Sequence, residues 1–364
     1  MPSLSDPLSE PLFDPLFDRL QLGELRLSNR IVMAPMTRNR ADAAGLATDC
    51  MVDYYSQRAD AGLIVAEGTW PSATGQSYCR QPGIANAAQI SAWKRVTDAV
   101  HGRGGLIMLQ IMHGGRIGSR HIKGPGVRTV APSALQAAGE VFTDAAGMQP
   151  FDMPVALSLD EIQEVIDEHR QAALNARAAG FDGVELHGTS GYLPKAFLSS
   201  GTNQRDDLYG GSVANRVRFS MECLQVMAAA IGPGRVGLRL NPGNSFNDCF
   251  DEDSAASHAE LIRQANSLDL AYLHLMRAPT PDIDAFALGA EHFKGRLILN
   301  DGFGPENARQ ALLDWPQAAL SFARHFVANP DLVWRLRQGL PLTRFDRKTL
   351  YTAGPAGYSD YPAV

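Results

Sequence analysis

Short, largely apolar runs alternate with amphipathic stretches along most of this chain. From the middle onward the order is strand-like Val236–Leu240, helix-like Asp253–Ser267, strand-like Leu270–Leu275, strand-like Arg296–Leu299, helix-like Pro305–Trp315 and strand-like Ala318–Phe322. Brief apolar runs bounded by glycine or polar residues suit strands buried on both faces. Their alternation with helices implies parallel pairing through crossovers. Upstream, Arg30–Ala34, Gly62–Ala66, Gly105–Gln110 and Gly183–Leu186 read as four more buried strands, which makes eight in all. Eight is the strand number of the (β/α)8 architecture, so the expected fold class is α/β, a TIM barrel.

The stretch Ser158–Gly180 reads as a helix with both ends marked. Ser158 and Glu161 form a capping box, Ile162, Val165, Ile166, Ala173 and Ala176 recur at helical spacing, and Gly180 suits the position just past the end. Two stretches break the alternation: Ser119–Gln149, rich in Gly, Pro and Ala, and Arg277–Lys294. Long loops inside compact domains are usually functional, so both are expected to be excursions covering the barrel mouth.

Composition narrows the picture. A chain of 364 residues matches one barrel with insertions, so residues 1–364 are expected to form a single domain. With 33 basic against 39 acidic residues, a net charge of −6 and no long charge run, a nucleic-acid or membrane-surface partner is not expected. Cys50, Cys79, Cys223 and Cys249 are widely separated, with no C-x-x-C pair to suggest zinc or an iron–sulfur cluster, and read as reduced thiols. Met1–Glu10 lacks the features of a signal peptide, and no apolar stretch of roughly 18 residues occurs, so a soluble cytoplasmic protein is expected. Apart from the doubled Pro-Leu-Phe-Asp at residues 11–18, no repeat is present.

The chemically distinctive residues gather just past the strands' C-terminal ends, the face where barrel enzymes place catalysis. Pro35, Met36, Thr37 and Arg38 follow the first strand, Glu67, Gly68 and Thr69 the second, and Gln110, Met112, His113 and Arg116 the third. His187, Ser190 and Tyr192 follow the fourth, where the apolar pattern breaks into a glycine-bounded loop. A core histidine and a packing tyrosine on an ordinary turn is the alternative reading of that loop. Arg239 closes the fifth strand, Asp301, Gly302 and Phe303 follow the seventh, and Ala323 and Arg324 follow the eighth. Strands seven and eight of such barrels often bind phosphate through backbone N–H groups, and the Gly-Phe-Gly turn with Arg324 fits that use, although a glycine-rich turn alone is also ordinary turn chemistry.

Taken in order, these residues resemble the Old Yellow Enzyme family of FMN-dependent ene-reductases over nearly the full chain. The matching stretches are Leu27 to Arg38, Leu109 to Arg116, Phe181 to Tyr192, Asn203 to Ser212 with Asn215-Arg216, Gly237 to Pro242, Ala323-Arg324 with Ala328 to Leu332, and Gly357 to Pro362. The resemblance implies non-covalent FMN, with NAD(P)H as reductant and an electron-poor alkene as substrate. It implies that Pro35, Thr37, Gly68 and Gln110 contact the flavin ring, Thr37 through the C4 carbonyl, and that Arg239 lies near N1 and the C2 carbonyl. A cation there stabilises charge that builds on the ring during reduction. Asp301, Gly302, Phe303, Ala323 and Arg324 match the phosphate end. The aspartate departs from the small residue common there and must point away from phosphate or be countered.

The resemblance further implies that His187 is a carbonyl ligand and Tyr192 a proton donor. Ser190 stands where the family usually has histidine or asparagine, so a water bridges it to substrate or the carbonyl shifts toward His187. Met112 occupies a position that is frequently tryptophan, where a thioether opens the pocket wall or simply fills a gap. Tyr78, Tyr351 and Phe303 are candidates for an aromatic rim, with plain packing as the alternative for each. His113 reads as structural, and Glu67 matches no catalytic role. The expected activity is reduction of the activated C=C bond of enones, enals, maleimides or nitroalkenes. Rival readings are a related flavin amine dehydrogenase or demethylase, a metal-dependent barrel lyase and a non-catalytic flavin-binding protein. The absence of clustered cysteines opposes the first, the lack of a ligand partner for His187 the second, and the presence of Tyr192 the third. A monomer or homodimer is expected, with no metal.

Overall fold

The computed structural model describes residues 14–278 and 282–364. Eight parallel strands close into a barrel: β1 (Ile31–Met33), β2 (Leu63–Thr69), β3 (Ile107–Ile111), β4 (Gly183–Gly188), β5 (Val236–Leu240), β6 (Tyr272–Met276), β7 (Leu297–Asn300) and β8 (Ala319–Phe322). Strand β8 pairs with β1 and leaves no free edge. The expected strands are all present. The largest departure is β2, which runs on to Thr69 through a register shift between Ala66 and Thr69 opposite β3. That bulge brings Glu67 and Gly68 into the mouth.

Around the barrel lie α1 (Asp49–Ser56), α2 (Ala87–His101), α3 (Leu159–Ala178), α4 (Arg218–Ile231), α5 (Ser254–Ala265), α6 (Ala285–His292), α7 (Ala308–Asp314) and α8 (Leu332–Gln338). Helix α3 has the expected ends. Ser158 Oγ accepts from the Glu161 N–H at 3.2 Å, Glu161 Oε2 accepts from the Ser158 N–H at 2.8 Å, and Gly180 adopts φ +92° just past the last turn. The reading of Arg277–Lys294 as a mouth excursion needs correction. Its centre is α6, which packs beside β6 and β7 as an ordinary barrel helix. Its sequence, AFALGAEH, is apolar nearly all round and carries no helical periodicity to read. The Ser119–Gln149 excursion does contain capping structure: an antiparallel hairpin, Glu140–Thr143 with Gly147–Pro150, and Val130–Ala131 paired with Val155–Ala156 beyond it.

Alternation along the strands sorts the barrel interior into tiers. The lower tier is apolar: Val32, Leu63, Val65, Met108, Tyr272, Ile298 and Ala319 cluster with Leu20, Leu22, Leu25 and Leu27 of an N-terminal hairpin that plugs the bottom. One inward step toward the C-terminal ends, the tier turns polar, with Gln110, Glu185, Arg239, His274, Asn300 and Ser321 all buried. The outward-facing residues, Leu109, Ile111, Val184, Leu186, Leu238 and Leu240 among them, join the main core under the helices. Among the described residues, no helix is long and apolar enough to cross a membrane.

Candidate active site at the barrel mouth

The polar tier is held by a continuous set of hydrogen bonds. Gln110 Nε2 donates to Glu185 Oε1 at 2.8 Å, His274 Nδ1 lies 2.8 Å from Glu185 Oε2, and His274 Nε2 lies 2.8 Å from Ser321 Oγ. Because a carboxylate only accepts, His274 carries its proton on Nδ1 and its Nε2 accepts from the serine hydroxyl. Arg239 Nη2 donates to Asn300 Oδ1 at 2.8 Å, and Asn300 Nδ2 donates to Ser321 O at 3.0 Å. Burial and the Arg239 charge hold the His274 imidazole below its usual range, so the Arg239 and Glu185 charges balance within the tier. Arg239 Nε is buried without a partner. A buried orphan donor on a cation is expensive unless something at the mouth accepts from it.

Above this tier the expected residues converge from several strands. Pro35 and Thr37 are half-buried past β1. Gly68 presses against Met112: a Cβ at Gly68 would stand 2.5 Å from Met112 Sδ and displace that thioether. Met112 is buried with Ile117, Val141 and Tyr192, and Tyr78 packs against the group. The Asp301 carboxylate pairs with Arg277 at 2.5 Å, which counters its charge. Gly302 has open space around it, and Arg324 is exposed at the start of the short helix Arg324–Ala328. Phe303 is buried and stacked on Phe286 with centroids 6.3 Å apart, so its ring belongs to the helix layer and not to the rim. Tyr351, by contrast, is 61% exposed.

The loop after β4 places His187, Ser190 and Tyr192 on one side of the mouth. The rings of His187 and Tyr192 are 4.8 Å apart and perpendicular. The Thr189 N–H donates to His187 Nδ1 at 3.3 Å, so Nδ1 is the unprotonated nitrogen and Nε2 carries the hydrogen. Burial, then the Arg239 charge, lowers the His187 imidazole to about 3, and it is a neutral Nε2–H donor at neutral pH. The Tyr192 hydroxyl lies 2.7 Å from that of Tyr78, and burial followed by Tyr78 raises the Tyr192 phenol well above its usual range. It is therefore protonated and able to donate. The Ser190 hydroxyl is 3.1 Å from Thr189 Oγ1. His113 is fully buried, its ring 6.3 Å from that of His169, and serves packing.

The sequence placed Glu67 and Arg38 at the mouth without a role, and did not single out Arg40 or Asn247. Glu67 is fully buried, accepts from the Arg38 N–H at 3.2 Å and the Tyr55 hydroxyl at 3.1 Å, and is raised by burial to about 7. Beside it Arg38 and Arg40 clasp the C-terminal segment: Arg38 donates to Leu350 O and Gly357 O, and Arg40 to Thr349 O, Gly354 O and Ala356 O. This clasp holds Tyr351 beside the mouth. Its sequence signal is two arginines two residues apart after an apolar strand, which resembles any solvated loop. Asn247, on the loop after β5, also faces the site, and it has no local signature.

A family profile described as the NADH:flavin oxidoreductase / NADH oxidase family matches residues 12–343. The chain belongs to this family. It is 42% identical to a probable flavin mononucleotide-dependent alkene reductase of Leishmania infantum, over 94% of this chain and 96% of that one. It is 40% identical to 12-oxophytodienoate reductase 1 of Oryza sativa subsp. japonica, over 94% and 91%. Among solved structures, an old yellow enzyme homologue from Zymomonas mobilis superposes with a TM-score of 0.92 at 39% identity, covering 96% of this chain and 99% of that one. Morphinone reductase in complex with tetrahydroNAD superposes at 0.91 and 42%, covering 96% and 97%.

The protein is thus a flavin-dependent oxidoreductase of the Old Yellow Enzyme family, and the mouth fits that family's FMN. The orphaned Arg239 Nε is a cationic donor needing an acceptor. With the Gln110 Nε2 committed to Glu185, its amide oxygen would serve as an acceptor for a ring N–H. The exposed Arg324 suits a phosphate, with space beside Gly302, whose N–H donates to Asp301 Oδ1 at 2.6 Å. Among the described residues, no group of three His, Cys, Asp or Glu side chains is arranged to hold a metal ion.

Proposed function

We propose that this alkene reductase acts on α,β-unsaturated carbonyl or nitro compounds and that Tyr192 protonates Cα. Bound FMN would supply the hydride chemistry that links oxidation of NAD(P)H to reduction at Cβ of the alkene. The protein's part begins with binding. The His187 Nε2–H donates to the substrate carbonyl or nitro oxygen, where negative charge grows as Cβ is reduced, a stabilisation on the order of a few kcal/mol. Tyr192 then gives its phenolic proton to Cα, and the resulting phenolate is held by the Tyr78 hydroxyl 2.7 Å away. Pro35, Thr37, Gly68, Gln110 and Arg239 would hold the ring, Arg324 and the space at Gly302 would take the phosphate, and Asp301 stays on Arg277 and the Gly302 N–H. Met112, Tyr78 and Tyr351 bound the substrate pocket, and the whole chain works as one unit.

The observation that carries this reading is the perpendicular pairing of a neutral histidine donor with a protonated tyrosine at the same edge of the mouth. An absorption spectrum, taken anaerobically with NADPH and then 2-cyclohexenone, tests it. Flavin bands that bleach with NADPH and return with the enone are expected. Bleaching without return would show that the oxidant is not a simple enone.

A further inference from the structure

Position 190 gives the site no long donor. Ser190 sits at φ +60°, its hydroxyl is engaged with Thr189 Oγ1 at 3.1 Å, and its N–H is taken by Asn241 Oδ1 at 3.4 Å. An amide nevertheless reaches this edge from another loop. Asn247, also at φ +60°, where asparagine is among the few tolerated residues, donates from Nδ2 to the Ser190 carbonyl at 2.8 Å. Its amide also acts on the Tyr78 and Tyr192 phenols, in each case lowering them against the larger effect of burial. The two loops interlock: Gly191 is at φ +77°, and a Cβ there would stand 2.8 Å from Phe246 O. From behind, the buried Arg116 donates to Asn247 O at 3.1 Å, and the Asp248 carboxylate accepts from the Ala138 N–H at 3.2 Å. Asn247 is therefore fixed at its backbone and half-buried, with its amide on the Ser190 carbonyl, two residues before Tyr192.

We infer that Asn247 is the positioning residue for proton delivery in this protein, supplying from the β5 loop the side-chain amide that position 190 lacks. This rests on Tyr192 being the proton donor. In the step concerned, the Tyr192 O–H bond breaks, the Cα–H bond forms, and the phenolate later regains a proton from water. An amide N–H beside a phenol oxygen stabilises the phenolate more than the phenol, so Asn247 opposes the burial that raises both tyrosines and makes Tyr192 a weak acid. Holding the Ser190 carbonyl also fixes the turn between His187 and Tyr192, so that one side chain sets the distance between carbonyl ligand and proton donor.

Asn247→Gly removes the amide while accepting the left-handed backbone, and Asn247→Asp keeps the shape while replacing the N–H donor with an acceptor. Both are measured as FMN-loaded enzyme by stopped flow, with flavin absorbance confirming occupancy; if the glycine variant loses FMN, the aspartate variant carries the test. Flavin reduction by NADPH is expected to stay within about twofold of wild type. Reoxidation by 2-cyclohexenone is expected to slow about tenfold, the worth of one hydrogen bond to a developing charge. In a Tyr192→Phe background the same substitutions are expected to add no further slowing. Wild-type reoxidation in the Asn247 variants beside a slow Tyr192→Phe overturns this inference alone, as does equal slowing in both backgrounds. Wild-type reoxidation in Tyr192→Phe by itself overturns the proton-donor reading and the inference with it.

Discussion

At the scale of single residues, the mouth works because ordinary side chains are held in one protonation state. His187 is neutral because burial and Arg239 both oppose its charging, and the Thr189 N–H selects which nitrogen carries the hydrogen. With its titration lowered to about 3, His187 contributes no inflection near pH 6–7 to the binding of a neutral phenol. His187→Ala is expected to weaken phenol binding about tenfold, as seen in the charge-transfer band with oxidised flavin; an unchanged Kd would assign the anchor to another group. Ser190→Asn is expected to tighten enone binding a few-fold, because asparagine accepts φ +60° and its amide extends past Thr189, where the serine hydroxyl stops. Titration of the oxidised flavin with 2-cyclohexenone checks this, and no change would mean that the carbonyl does not approach that side. The identities of His187, Ser190 and Tyr192 were legible because they sit three and two positions apart past an apolar run. The engagement of Ser190 with Thr189 was not, since it depends on a left-handed backbone.

At the scale of elements, legibility followed environment. The eight strands are buried on both faces, so each shows as a continuous apolar run. Helix α3 was readable because its caps lie in its own sequence. Helix α6 was not, because it lacks a polar face. The C-terminal segment is the clearest case of an element placed by distant residues: Arg40 alone donates to Thr349 O at 2.7 Å, Gly354 O at 2.7 Å and Ala356 O at 3.1 Å. Arg40→Ala removes the donor from those part-buried carbonyls and is expected to loosen residues 349–357 with a loss of about 1–2 kcal/mol. Limited proteolysis should then cut near Tyr351 before the barrel is attacked. Resistance equal to wild type would show that the segment is held by Arg38 and the Tyr54–Tyr358 stack, whose ring centroids are 3.9 Å apart, without Arg40.

At the scale of the whole molecule, stability is tied to pH through buried groups of opposite sign. Burial lowers His169 to about 4 and His187 to about 3, so between those values and 6.5 the unfolded chain binds protons that the folded one does not. Each histidine then costs about 2 kcal/mol on acidification from pH 7 to 5. Glu67, raised to about 7, acts oppositely, since the folded state binds its proton between pH 4.5 and 7; over the same interval it returns about 2 kcal/mol. His113, His258 and His274 are lowered as well, so the histidines prevail. The midpoint of thermal unfolding is expected to fall from pH 7 to 5, and His169→Gln to flatten that slope by about one proton. An unchanged slope in the variant would mean that His169 titrates normally in the fold.

The sequence by itself determined the barrel, the face that carries chemistry and the residues that ring it. Strand periodicity and loop composition are local properties, and burial on both faces writes itself into consecutive residues. Only the tertiary structure decided how those residues are charged, oriented and linked. The Gln110–Glu185–His274–Ser321 chain joins four strands, and the Arg38–Arg40 clasp joins residues more than three hundred positions apart. Asn247 reaches the Ser190 carbonyl, beside the phenols, from a loop with no motif of its own. Hydrogen bonds and desolvation act through space, so no spacing along the chain could have announced them.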